Sequence, residues 1–216
     1  MKIFGISGLG ADERVFKKLT LNYNINTVKW LKPHKKEELK NYIKRLSVEI
    51  DDSQPFVLIG VSFGGIVAIE LSKILKPEAV IIISSICNDK EIPIIFKLIG
   101  KTRLLTFLPK QIFKPSSVIA NFIFSAENKH LLNQIIKDTD LFFTKWAISQ
   151  FVNWKNREVV NNLVIIHGNR DRLIPICKNE QTIQINNGGH FMVVDKADEI
   201  SEIINDKLNK LTYNVT

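Results

Sequence analysis

A single serine stands at the apex of Gly60-Val61-Ser62-Phe63-Gly64-Gly65, directly behind the apolar run Phe56-Val57-Leu58-Ile59. A serine hydroxyl is a weak nucleophile at neutral pH and needs a base beside it. Candidate bases are the four histidines, His34, His130, His167 and His190. The run before the serine reads as a buried strand, and the helical pattern after it lasts until Pro77. A turn that tight requires strained backbone at Ser62, with no side chains at positions 60 and 64 to collide with neighbouring strands. The Phe63 amide then lies at a helix start, where free N–H groups and the helix dipole favour negative charge. That amide is placed to stabilise an oxyanion forming on an acyl group attacked by Ser62.

The elements that must position this serine alternate. Lys2–Ile6 reads as a first strand, Asn26–Trp30 as a second closed by Pro33, and Lys35–Ile50 as an amphipathic helix with Leu39, Tyr42, Ile43, Leu46 and Ile50 on one face. Ile66, Val67, Ile69, Ile74 and Leu75 give the helix after Ser62 a broad buried face. Glu78–Ser84, Asn162–His167 and Gln181–Ile185 complete the strands. The unbroken run Ala79-Val80-Ile81-Ile82-Ile83 reads as a strand covered on both faces, so a parallel α/β sheet is expected. Ile200, Ile203, Ile204, Leu208 and Leu211 mark a closing helix, with Asp195 or Asp198 as its cap.

Gly-x-Ser-x-Gly between a strand and a helix is the nucleophile elbow, and the chain resembles the α/β-hydrolase superfamily. The resemblance implies a three-layer α/β-hydrolase fold with a shortened, mainly parallel sheet and an inserted helical lid. About six strands are expected, because the oxyanion-loop strand begins at residue 2, where larger members have two strands before it. It places the triad acid at Asp171 in His167-Gly168-Asn169-Arg170-Asp171, and the catalytic histidine at His190 in Gly188-Gly189-His190. The second oxyanion amide falls on Leu9, in a loop with Ser7-Gly8 where relatives often have His-Gly. Ser62, Asp171 and His190 follow the chain order of this fold, each just after a strand. Asp89 sits where some hydrolases carry the acid and stays open as an alternative. His167, one residue past its strand, reads as support for the turn. His34, His130 and Trp30 read as surface or packing residues.

Residues 1–86 and 158–216 form the expected core, and residues 87–157 the lid. The lid holds eight of the 13 phenylalanines and Trp146 and Trp154, read mostly as its own small core with a minority lining an apolar pocket. Thr139-Asp140 and the tryptophan pair resemble lid features of small bacterial hydrolases, although capping and packing are the simpler account.

The expected reaction is hydrolysis of an ester or thioester of a small or medium apolar acyl group through an acyl-enzyme. A carrier-protein acyl esterase, resembling that of biotin synthesis, is one variant; a ligand-binding receptor that retains the triad is the alternative from another class. No metal or organic cofactor is implied. Cys87 and Cys177 have no metal-type spacing and read as structural thiols. Net charge is +8, and the lid holds 11 Lys and Arg against five Asp and Glu. Compositional bias is the simpler account of that surplus; the sharper one is a face for an anionic partner such as an acidic acyl carrier. No motif supports nucleic-acid binding, no stretch reads as a membrane span, and no secretory pattern opens the chain. A cytoplasmic protein is the expectation, which leaves the acceptor pattern Asn214-Val215-Thr216 without weight.

Overall fold

Strands that are apolar at every position need helices on both faces, and both faces are covered. The computed structural model describes residues 1–102, 105, 108–176 and 181–213. Among them, β1 (Lys2–Ile6), β2 (Ile25–Thr27), β3 (Phe56–Val61), β4 (Ala79–Ile83), β5 (Leu163–Gly168) and β6 (Thr182–Ile185) form one parallel sheet in the order β2-β1-β3-β4-β5-β6. The chain moves outward from β1 to β2, then crosses back to β3. Connections therefore leave β1 and β3 in opposite directions, and a crevice opens at their carboxyl ends. The loop after β1 carries Leu9 and the turn after β3 carries Ser62.

Successive side chains on a strand point to opposite faces. Phe4, Leu58, Val80, Ile82 and Ile165 face α1 (Leu39–Ser47) and α2 (Phe63–Ser72). Val57, Ile59, Ile81, Ile83 and Ile166 face the closing helices, α7 (Met192–Asp195) and α8 (Ala197–Tyr213). The result is three layers.

Several boundaries differ from the sequence reading. β2 comes a residue earlier and ends at Thr27, and Trp30 packs its ring against Tyr42, Phe63 and Phe143. Helix α1 begins at Leu39 rather than Lys35, because Lys36 takes left-handed backbone and Glu37 folds back to accept from the His34 amide and the Arg45 guanidinium. Helix α2 stops at Ser72, which leaves Ile74 half exposed. Asp195 does not cap the closing helix: its carboxylate accepts from the amides of Glu127 and Asn128, tying the closing segment to the inserted one.

Between β4 and β5 the described regular elements are helical: α3 (Ile94–Lys101), α4 (Ser117–Ile123), α5 (Lys129–Asp138) and α6 (Leu141–Asn153), with short 3-10 turns at Asp89–Glu91 and Lys110–Phe113. Their aromatics do not form a core of their own. Phe143, Trp146 and Trp154 join the cluster of α1 and α2. Trp146 lies 4.4 Å from Tyr42 between ring centroids and donates Nε1–H to the Glu37 carbonyl at 2.8 Å. The Trp154 indole donates to Glu70. A helix four turns long cannot bury rings of this size by itself, whereas the flank of α2 offers a ready apolar surface. Phe107 lies outside the described residues.

Trp146→Ala removes a ring that joins the inserted helices to the core. We expect a loss of about 3–5 kcal/mol, with the whole chain still unfolding in one transition by urea denaturation followed by circular dichroism. An early, separate transition would mean that the insertion folds independently.

Candidate active site

The turn from β3 into α2 holds Ser62 at φ 54°, ψ −122°, a left-handed conformation unusual for a residue with a side chain. Three hydrogen bonds hold it there: Ser62 N–H to the Ile83 carbonyl (2.9 Å), Gly65 N–H to the Ser62 carbonyl (2.9 Å) and the Ser85 hydroxyl to that same carbonyl (2.7 Å). A Cβ at Gly64 would overlap the carbonyls of Ile6 and Ser7, and one at Gly60 would overlap Gly64. Only with both absent does α2 start hard against the end of β1. Gly8 then lies beside the Ser62 side chain, and Leu9 and Phe63 border the same space. As first residue of α2, Phe63 has an amide with no acceptor inside the helix.

His190 follows β6, and its Nε2 lies 2.9 Å from Ser62 Oγ. Its Nδ1 lies 2.7 Å from Asp171 Oδ2. A carboxylate can only accept, so Nδ1 carries the proton and Nε2 is left to accept from the serine hydroxyl. Asp171 Oδ1 accepts from the amides of Leu173 (2.9 Å) and Ile174 (2.8 Å). Burial pushes the Asp171 carboxyl up; the charge of His190 and hydrogen bonds from His167, His190 and Ile174 outweigh it and hold the group well below the usual carboxylate range. The acid and histidine loops are pinned together by the Arg170 amide on the Gly188 carbonyl at 2.9 Å.

The other candidates fall elsewhere. His167 lies within β5, not past it, and its Nε2 donates to the Ile174 carbonyl at 2.8 Å while standing 3.4 Å from Asp171 Oδ2. It thus braces the acid loop. Asp89 is buried, but it faces Arg157 and Lys155 at 3.7 and 4.0 Å rather than a histidine. His34 and His130 are exposed. Cys177 and Asn214–Thr216 lie outside the described residues.

Ser62 opens into a cavity of about 280 Å³ whose walls are almost wholly apolar. On one side stand Phe96, Phe151, Leu173 and Ile174, on the other Val15, Leu132, Ile135 and Val193. Both faces of the sheet therefore contribute to the cavity. Sequence reasoning did not sort these residues, since their spacing is that of any packed helix. Two ties from the insertion depend on distant partners, and at Thr139-Asp140 the capping and packing account holds. The Thr139 hydroxyl lies 2.8 Å from the Gly10 carbonyl, steadying the Leu9 loop, while Asp140 caps α6. Phe124 packs edge-on to the His190 ring at 5.2 Å and accepts from the Phe191 amide.

No protein-family model matches the chain, and no curated protein does. Solved structures do. MenH from S. aureus is 17% identical with a TM-score of 0.70, covering 98% of this chain and 94% of its own. Olei00960, a hydrolase from Oleispira antarctica, is 12% identical at 0.70, covering 98% and 90%. A thermophilic esterase is 18% identical at 0.69, covering 97% and 90%. The chain has the α/β-hydrolase fold, with its mainly parallel sheet of six strands flanked by helices.

Because the Asp171 carboxyl is depressed in the folded chain, its ionised form contributes stability that is fully present above the unfolded value near pH 4 and is lost as pH falls through the folded one. Asp171→Asn should lower unfolding free energy at pH 7 by about 1–3 kcal/mol, and the gap to the unmodified chain should narrow only below about pH 4. Urea titrations across pH give the measurement; a gap that closes between pH 6 and 8 would contradict this account.

Proposed function

We propose that this protein is a serine hydrolase that cleaves an ester or thioester of a small or medium apolar acyl group. One observation carries the reading: the unbroken hydrogen-bond chain from Asp171 through His190 to Ser62 ends in an apolar cavity. A nucleophile, a base and an orienting acid in contact are what acyl transfer requires.

In this reading a substrate carbonyl enters beside Ser62 with its acyl chain among the phenylalanines. Ser62 Oγ attacks the carbonyl carbon as its proton passes to His190 Nε2. Asp171, already ionised, stabilises the imidazolium that forms. The carbonyl oxygen takes up negative charge between the amides of Phe63 and Leu9, which need not reorganise to receive it. Collapse of the tetrahedral species breaks the bond to the leaving group, which takes the proton from His190. Water then attacks the acyl-Ser62 by the same steps in reverse, and free acid leaves. Residues 87–157 serve as the lid, closing the cavity above the sheet edge and steadying both loops through Thr139 and Phe124. Residues 1–86 and 158–216 are the core that carries the reacting groups.

A fluorophosphonate should label Ser62, and Ser62→Ala should abolish the label. His190→Ala should lower kcat on aryl esters by at least roughly a thousandfold, because members of a triad act as a unit. Folded protein that takes up no label would end this reading. Within a graded series of aryl esters, kcat/KM should rise from acetyl towards medium-length acyl chains as more of the apolar wall is covered.

A further inference from the structure

From Ile92 to Ala126 the sequence has five Lys and Arg and no Asp or Glu, while 17 of its 35 residues are Ile, Leu, Val or Phe. Folding leaves many of the described ones open to water. α3 has no buried residue, and Ala120 is the one buried residue of α4. Ile94, Ile95 and Leu98 on α3, Ile112 on the following turn, and Val118, Ile119 and Phe122 on α4 are each more than half exposed, Val118 reaching 80%. Phe96, Phe113 and Ile123 from the same elements, with Pro115 between the last two, turn the other way and line the cavity at Ser62. The exposed faces therefore surround that cavity from outside.

Single exposed apolar residues are ordinary. Seven on three elements that all wall one cavity are not, and apolar surface held open in this number marks a contact with something other than water. The interleaved charge identifies the occupant. Lys101, Lys110 and Lys114 are exposed within the segment, and the Arg172 guanidinium stands 4.2 Å over the Phe122 ring. A second copy meeting this face through a two-fold axis would set cations against cations. A partner protein read by charge alone would leave the isoleucines wet. An anionic lipid surface satisfies both features: apolar side chains enter the boundary between headgroups and acyl chains, and lysines reach the phosphates. No helix among the described residues is long and apolar enough to cross a membrane, so the contact is with the surface.

The geometry points to the exposed faces of α3, the Lys110–Phe113 turn and α4 as a docking face for an anionic lipid membrane, presenting the mouth of the Ser62 cavity to the bilayer. This follows from exposed side chains and charge, and it does not require that the protein hydrolyse anything.

The test is flotation of the full chain with phosphatidylcholine vesicles, with and without phosphatidylglycerol. Binding should require phosphatidylglycerol and weaken as salt rises, since lysine–phosphate attraction is screened within about 10 Å at 0.1 M ionic strength. Lys101→Gln, Lys110→Gln and Lys114→Gln together should lower partitioning on the order of a hundredfold. Val118→Asp with Phe122→Asp should lower it at least about tenfold. Both variants change exposed residues outside the cavity wall, so hydrolysis of a soluble aryl ester should stay as it is. No partitioning, equal partitioning to neutral vesicles, or saturable binding of an acidic acyl carrier protein in place of vesicles would each overturn the proposal. Vesicle binding without ester hydrolysis would sustain this proposal while removing the hydrolase reading.

Discussion

The arrangement depends on one close approach. Where β3 ends, α2 must begin so near to β1 that nothing larger than hydrogen fits on the α-carbon of Gly64, and Ser62 must turn into left-handed backbone to allow it. Strain of that kind costs about 1–3 kcal/mol and persists only where surrounding structure over-determines it. Here the bond from the Ser62 amide to the Ile83 carbonyl and those from Gly65 and Ser85 to the Ser62 carbonyl do so. One steric condition thereby lifts the hydroxyl off the sheet, sets the start of α2 beside the same space, and brings Gly8 beside the serine.

The reach of that condition extends to the far loops. Because the sheet is parallel, β5 and β6 end on the same edge as β3, so Asp171 and His190 need only short loops to meet Ser62. Burying an ionised carboxylate is unfavourable unless it is paired. Asp171 is paired on both oxygens, by two amides on one and by His190 on the other. His167 braces the loop from within β5, and the backbone bond from Arg170 to Gly188 keeps the two loops in step. The electrostatics and the mechanics of the site thus use the same few groups.

The inserted helices are bound to the core rather than laid over it. Trp146 and Trp154 sink into the α1–α2 layer, Thr139 holds the Leu9 loop, and Phe124 leans on His190. Every one of these contacts is on the inward side. The outward side of α3 and α4 keeps its isoleucines, valine and phenylalanine in the open. A sequence that buries large rings so thoroughly on one side of an insertion could have placed polar residues on the other. It placed apolar residues and lysines there instead.

Much of this was legible in order of residues alone. Unbroken runs such as Ala79–Ile83 announce strands covered on both faces, and the glycines around Ser62 announce a turn too tight for side chains, because both are local steric requirements written at fixed spacing. The chain order of Ser62, Asp171 and His190 is legible in a different way, through the resemblance to the α/β-hydrolases rather than through any local steric rule. What the residues could not disclose is whatever depends on which surface meets which. Asp195 looks like a helix cap until the loop at Glu127 is seen to need its oxygens, and Trp146 looks like part of a separate lid core until Tyr42 is found against it. The division of Phe96 from Phe122, one lining the cavity and the other facing solvent, has the same origin. Periodicity states that a face is apolar; only the packing of distant elements decides what covers it.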